Sequence, residues 1–148
     1  MVSTVKPPIP YLLAYAHTVA SRQAAERLRR FGLTARQFGV LVQLQLEPEL
    51  TMAELARQFG VSRQSLHEMV GELEDAGHLY RVPGATGRTV RLVLTEGTER
   101  LLAAAEGPMM LAERDLVAGL SARETEALRG LLQKLMARAT DDESWLSY

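Results

Sequence analysis

Gly60 separates two short runs of helical periodicity, and the pattern on either side of it constrains the fold more than any other part of the chain. Thr51 and Glu54 have the spacing of a capping box, which starts a helix at Met52. Ala53, Leu55, Ala56 and Phe59 give that helix a small apolar face. Gly60 stops it, because glycine takes the left-handed conformation there without steric cost. Ser62 is a good N-cap for a second helix. On this helix Leu66, Met69, Val70 and Leu73 share one face. The opposite face carries Gln64, His67, Glu68, Gly71 and Asp75. A short helix, a glycine turn and a second helix with a polar face make a helix-turn-helix.

The following residues extend the motif. Ala76-Gly77 closes the second helix. HLYRV and TVRLVL read as two strands, with Val90 and Leu92 alternating against Thr89 and Arg91. Pro83-Gly84-Ala85-Thr86-Gly87-Arg88 lies between them, and two glycines and a proline mark it as a hairpin tip, or wing. The expected fold class is mainly α with a small β-hairpin wing, a winged helix-turn-helix.

The flanks are helical. Residues 1–10 read as an extended arm, since three prolines in four positions block a helix. A helix is expected from Tyr11 to about Arg30, ending in a cluster of Arg22, Arg27, Arg29 and Arg30 before Phe31-Gly32. That cluster suits either a phosphate-facing surface or a solvated helix end favoured by the C-terminal dipole. Thr34 and Gln37 form a second capping box, ahead of a face of Phe38, Leu41, Val42 and Leu46. Thr95 begins a helix running to about Leu120, with a kink expected at Gly107-Pro108. Ser121 and Glu124 cap a last helix with a stripe of Leu128, Leu131, Leu132, Leu135 and Met136. The polar end is DDESWLSY. One domain over 1–148 is expected, with a reading lobe at 34–94 and outer helices at 1–30 and 95–148. Those helices are more apolar than the lobe alone can bury, so they are assigned to a homodimer interface about a two-fold axis.

Composition narrows the functional classes. The 148 residues are enough for one domain with a core. Cysteine is absent, which excludes disulfides, thiol redox sensing and thiolate metal sites. No run reaches membrane-spanning length and no leader resembles a signal peptide, so a cytoplasmic location without membrane contact is expected. His17, His67 and His78 are the only histidines, and none sits in a nucleophile or zinc motif. No enzyme, no cofactor and no metal site is expected.

The polar face of the second helix has the chemistry of a DNA reader. The N-terminal part of such a helix enters the major groove. Ser62, Arg63, Gln64, Ser65, His67 and Glu68 occupy that part. Gln64 can bond adenine in bidentate fashion, Arg63 can reach guanine or phosphate, and Glu68 can accept from cytosine N4. Ser62 and Ser65 suit phosphate contacts at the helix N-terminus. Arg88 at the wing tip suits a narrow minor groove. Electrostatics give less support. The net charge is -1, and between Thr51 and Leu94 five arginines meet five acids. Two functions therefore stay open, a homodimeric DNA-binding regulator and a winged-helix dimer that binds protein, with weak or no DNA binding.

Four segments in order resemble the MarR family of transcriptional regulators: LTARQFGVL at 33–41, LTMAELARQFGVSRQSL at 50–66, LEDAGHLYR at 73–81 and GRTVRLVLTEGTERLL at 87–102. The resemblance covers about 33–139. It implies a dimeric winged helix with interlocked terminal helices, binding to palindromic operators, repression, and release by a small, often phenolic or anionic, ligand. It makes 62–76 the recognition helix and Arg88 the wing arginine. Family ligand pockets lie between dimer helices and winged lobe, which nominates Tyr11, Tyr15, His17 and Arg22 as an aromatic floor with a cation. Two positions depart from the family pattern. Thr86 stands where the wing usually has an aspartate, and Glu68 stands where a basic residue is common.

Overall fold

A computed structural model of the chain describes residues 5–140 and 146–147. Met1–Thr4 of the expected arm and most of the polar C-terminal end lie outside the described residues. Helix α1 spans Ile9–Leu28 and runs into a 3-10 turn at Arg29–Phe31. Then come α2 (Ala35–Leu46), α3 (Met52–Phe59), α4 (Arg63–Asp75), strands β1 (Leu79–Pro83) and β2 (Val90–Leu94), α5 (Glu96–Leu116) and α6 (Ala122–Thr140). The chain forms two compact units, Met1–Glu113 and Arg114–Tyr148.

The first unit holds the core. Leu33, Val40, Leu41, Leu44, Leu50, Leu55, Ala56, Leu66, Val70, Leu73, Leu79, Leu92 and Leu102 form one buried cluster. It draws on α2, α3, α4, both strands and α5. The α4 face expected from periodicity is the face that is buried, apart from the half-buried Met69. On α2 the buried line is Val40, Leu41 and Leu44, and Leu46, expected on the apolar face, is 55% exposed in the last turn.

Local chemistry sets the helix ends. Both expected capping boxes of this unit form, Thr34 with Gln37 and Thr51 with Glu54. Helix α3 ends at Gly60, with φ 62°. The Val61 N–H then reaches back to the Ala56 carbonyl and the Gly60 N–H to that of Arg57, the paired bonds of a Schellman motif. The same pair closes α4, where His78 N–H donates to Leu73 O and Gly77 N–H to Glu74 O. The expectation that Pro7, Pro8 and Pro10 exclude helix is corrected at its edge. Pro8 is the N-cap of α1 and Pro10 falls in its first turn. The N–H that proline lacks has no partner there in any helix, so the ring costs nothing. Helix α5 continues through Pro108.

The two strands pair antiparallel, from Leu79 opposite Leu94 to Pro83 opposite Val90. An isolated one-residue bridge between Thr51 and Arg91 sets the start of α3 against β2. A buried polar knot joins the α4–β1 corner to α5. Thr98 is 1% exposed, and its hydroxyl lies 3.1 Å from His78 Nδ1 and 3.0 Å from Thr95 Oγ1. Thr95 Oγ1 also donates to the Gly77 carbonyl at 2.9 Å. A buried hydroxyl without partners would be costly, so this knot holds the corner in one arrangement.

In the second unit, α6 begins at the expected Ser121–Glu124 capping box, with bonds of 2.8 and 3.2 Å. Leu128, Leu131, Leu132 and Leu135 are exposed along it.

Candidate nucleic-acid interface

A concave cleft of about 360 Å³ opens between α3, α4 and the wing. Arg63, Leu66 and His67 contribute from α4, and Arg88, Thr89 and Val90 from the wing. Thr51, Met52 and Ala53 complete it from the start of α3. Three expected DNA-contacting residues, Arg63, His67 and Arg88, thus border one cavity although up to 25 positions separate them. The α3 residues were not legible as site residues. Their sequence signal is that of a helix start, and the Thr51–Arg91 bridge, a tertiary contact, sets them beside the wing.

The start of α4 is built for anions. Ser62 Oγ accepts from the Ser65 N–H at 3.0 Å and gives its own proton to Ser65 Oγ at 3.0 Å. Its hydroxyl is therefore used within the cap, while the Ser65 hydroxyl only accepts there and keeps its own proton to donate. The backbone N–H groups of Arg63 and Gln64, in the first turn, have no partner within the helix and carry the positive end of its dipole. Arg63, Gln64, Ser65, His67 and Glu68 are all exposed.

The wing tip is fixed by Thr89. The Gly84 N–H donates to Thr89 O at 2.7 Å, and Thr86 Oγ1 lies 3.3 Å from Thr89 Oγ1. A side chain at position 84 would meet Thr89 Oγ1 at 2.1 Å and its carbonyl oxygen at 3.0 Å, so glycine is required there. Thr86 holds the loop by a neutral contact.

The equal count of charges conceals their arrangement. Arg81 pairs with Glu74 at 3.5 Å and Arg91 with Glu49 at 3.2 Å. Glu54 is held below the usual glutamate range, chiefly by the Thr51 backbone N–H, with the Thr51 hydroxyl and Arg57 adding to it. Arg57, Arg63 and Arg88 have no ion pair among the described residues and are exposed. Glu72, Glu74 and Asp75 collect at the far end of α4. The cleft end of α4 is cationic and the other end acidic. The residues nominated for an effector, Tyr11, Tyr15, His17 and Arg22, all lie exposed on α1, with His17 Nε2 3.4 Å from Ser21 Oγ. Arg30, from the neighbouring arginine cluster, stacks over the Phe31 ring at 4.9 Å.

Fold and cleft together define a winged helix-turn-helix protein. The sequence model of the MarR family matches residues 31–88, the span from the end of α1 to the wing. The HTH-type transcriptional repressor Rv2887 of Mycobacterium tuberculosis is 32% identical over 129 residues, covering 86% of this chain and 93% of that one. The chain belongs to the MarR family, whose members are transcriptional regulators. Two solved structures extend the likeness. A mutant MarR from E. coli complexed with operator DNA is 26% identical with a TM-score of 0.77, over 86% of this chain and 93% of that one. Rv2887 complexed with salicylic acid is 30% identical with a TM-score of 0.73, over 90% and 99%. Among the described residues no helix is long and apolar enough to cross a membrane.

Proposed function

We propose that this chain is a homodimeric DNA-binding transcriptional repressor that reads a palindromic operator and releases it when a small aromatic anion binds. The observation that carries the proposal is the cationic cleft, where Arg63 and His67 of the recognition helix and Arg88 of the wing border one cavity. The recognition helix enters the major groove with Arg63, Gln64, Ser65 and His67 on base edges and phosphates. Ser62 supports it as the cap, and Arg88 enters the adjacent minor groove. Two copies present two such helices, which must match half-sites about 34–36 Å apart. Residues 34–94 are the reading lobe, and the outer helices join the two copies.

Two relatives lend support: E. coli MarR was solved with operator DNA and Rv2887 with salicylic acid. Tyr11, Tyr15, His17 and Arg22 are the proposed ligand-facing residues. The test is selection of bound duplexes from the genomic DNA of the source organism at low salt, followed by titration with salicylate. An enriched palindromic site whose complex dissociates on titration supports the proposal. Failure to enrich any duplex overturns it, and capture of one stoichiometric protein partner instead would make the chain an interaction module. Loss of salicylate release in Arg22→Ala, with operator affinity kept, would locate the ligand on α1.

A further inference from the structure

One contact on the reading face of α4 bears on base choice. Gln64 Nε2 donates to Glu68 Oε1 at 3.1 Å, one helical turn on. Both side chains are exposed on the face turned away from the core. A carboxylate only accepts, so the Gln64 amide is held one way round, with its NH₂ toward Glu68 and its Oε1 away. The flipped amide would press Oε1 against the carboxylate. With the hydrogen trans to Oε1 engaged by Glu68, the second hydrogen of the NH₂ lies on the same edge as Oε1. The outward edge of Gln64 is then an acceptor beside a donor. Adenine offers the complement in the major groove, an N6 donor beside the N7 acceptor. Guanine offers two acceptors, O6 and N7, and its O6 would face Gln64 Oε1. An amide free to rotate could turn its NH₂ toward O6 and accept guanine as well.

We propose that Glu68 is a positioning residue that sets the Gln64 amide to read adenine and reject guanine at one base pair of each half-site. The proposal rests on the DNA-binding function above. It gives Glu68 a task of its own. The carboxylate trades affinity for discrimination, since a negative charge near phosphates weakens binding to every sequence.

The test uses full-length wild type, Glu68→Gln, Gln64→Ala and the double variant. Each is used to select from a randomised duplex pool, and affinities are measured on the selected operator and its single-base variants by fluorescence anisotropy. Both positions are exposed, so matching thermal melts establish that all four proteins fold. At one operator position, wild type should prefer adenine over guanine by about tenfold or more, as one good bidentate contact supplies. Glu68→Gln keeps the shape but can donate as well as accept, and should cut that preference to about twofold while binding unrelated duplex more tightly. In the Gln64→Ala background the same change should leave base preference unmoved. Unchanged preference in Glu68→Gln overturns the inference. So does an equal effect with and without Gln64, which would make Glu68 a direct base contact. If wild type enriches no duplex, the DNA-binding function itself fails; if it enriches one and the cycle shows no coupling, only the role of Glu68 fails.

Discussion

Arg88 owes its position to three neighbours rather than to any partner of its own. Gly84, Thr86 and Thr89 hold the turn on which it stands, and its side chain is exposed without an ion pair among the described residues. Arg88→Ala should weaken operator binding about tenfold and reduce the slope of log affinity against log salt by about one, the value of a single phosphate-side cation. Anisotropy at several salt concentrations checks both. Gly84→Ala should weaken binding as well, while leaving the core intact, because the added methyl collides with Thr89 at the tip alone. Its thermal midpoint should stay close to wild type while its operator affinity falls toward that of Arg88→Ala. The two serines at the head of α4 divide their work in a way the sequence did not separate. Ser62 is consumed as the cap and Ser65 keeps a proton to give. Ser65→Ala should therefore lower DNA affinity at little cost in stability. Ser62→Ala should lower stability by about 1 kcal/mol, the usual value of an N-cap, as measured by denaturant unfolding.

The elements are started and stopped by short-range chemistry, and this explains why they were legible. Each of the three capping boxes reads as a pair of residues three apart, and each forms. The α3 box also carries a pH dependence. Glu54 is held below the ordinary glutamate value mainly by the Thr51 backbone N–H at 2.8 Å. A carboxyl whose pKa is lower folded than unfolded stabilises the fold at neutral pH. That contribution is lost as the pH falls below the unfolded value of about 4.3 and on through the folded one. Glu54→Gln removes the charge. The gap in thermal midpoint between wild type and this variant should be widest near neutral pH and close in acid. A gap that widens in acid would mean the carboxylate is not what the cap stabilises. The start of α1 was less legible, because three prolines dominate any local reading of residues 7–10. What distinguishes a breaker from a starter is whether the missing N–H was needed, and in the first turn it is not.

At the scale of the whole molecule, the apolar surface is the main unfinished business. Ile9, Tyr11 and Leu12 on α1 and Leu128, Leu131 and Leu135 on α6 remain exposed in the single chain. Apolar exposure of this kind along a helix ordinarily marks an interface. The protein should elute in multi-angle light scattering at twice its chain mass. A Leu131→Glu, Leu135→Glu double variant should shift it to monomer, with operator affinity falling steeply because a lone winged lobe reaches only one half-site.

By itself the sequence determined the helix-turn-helix, the wing and the residues on the exposed face of α4. All of these follow from interactions within a few positions: caps, a left-handed glycine, a period of 3.6 and a proline-glycine turn. Only the tertiary structure decided how those residues combine. The Thr51–Arg91 bridge brings the head of α3 to the wing and makes a cleft from segments distant in sequence. Between Thr51 and Leu94, ion pairs engage Arg81 and Arg91 and leave Arg57, Arg63 and Arg88 as exposed arginines without one among the described residues. A count over the segment gives zero, because counting ignores where charges lie and which are already paired. The field at the cleft depends on both, since charge acts through distance.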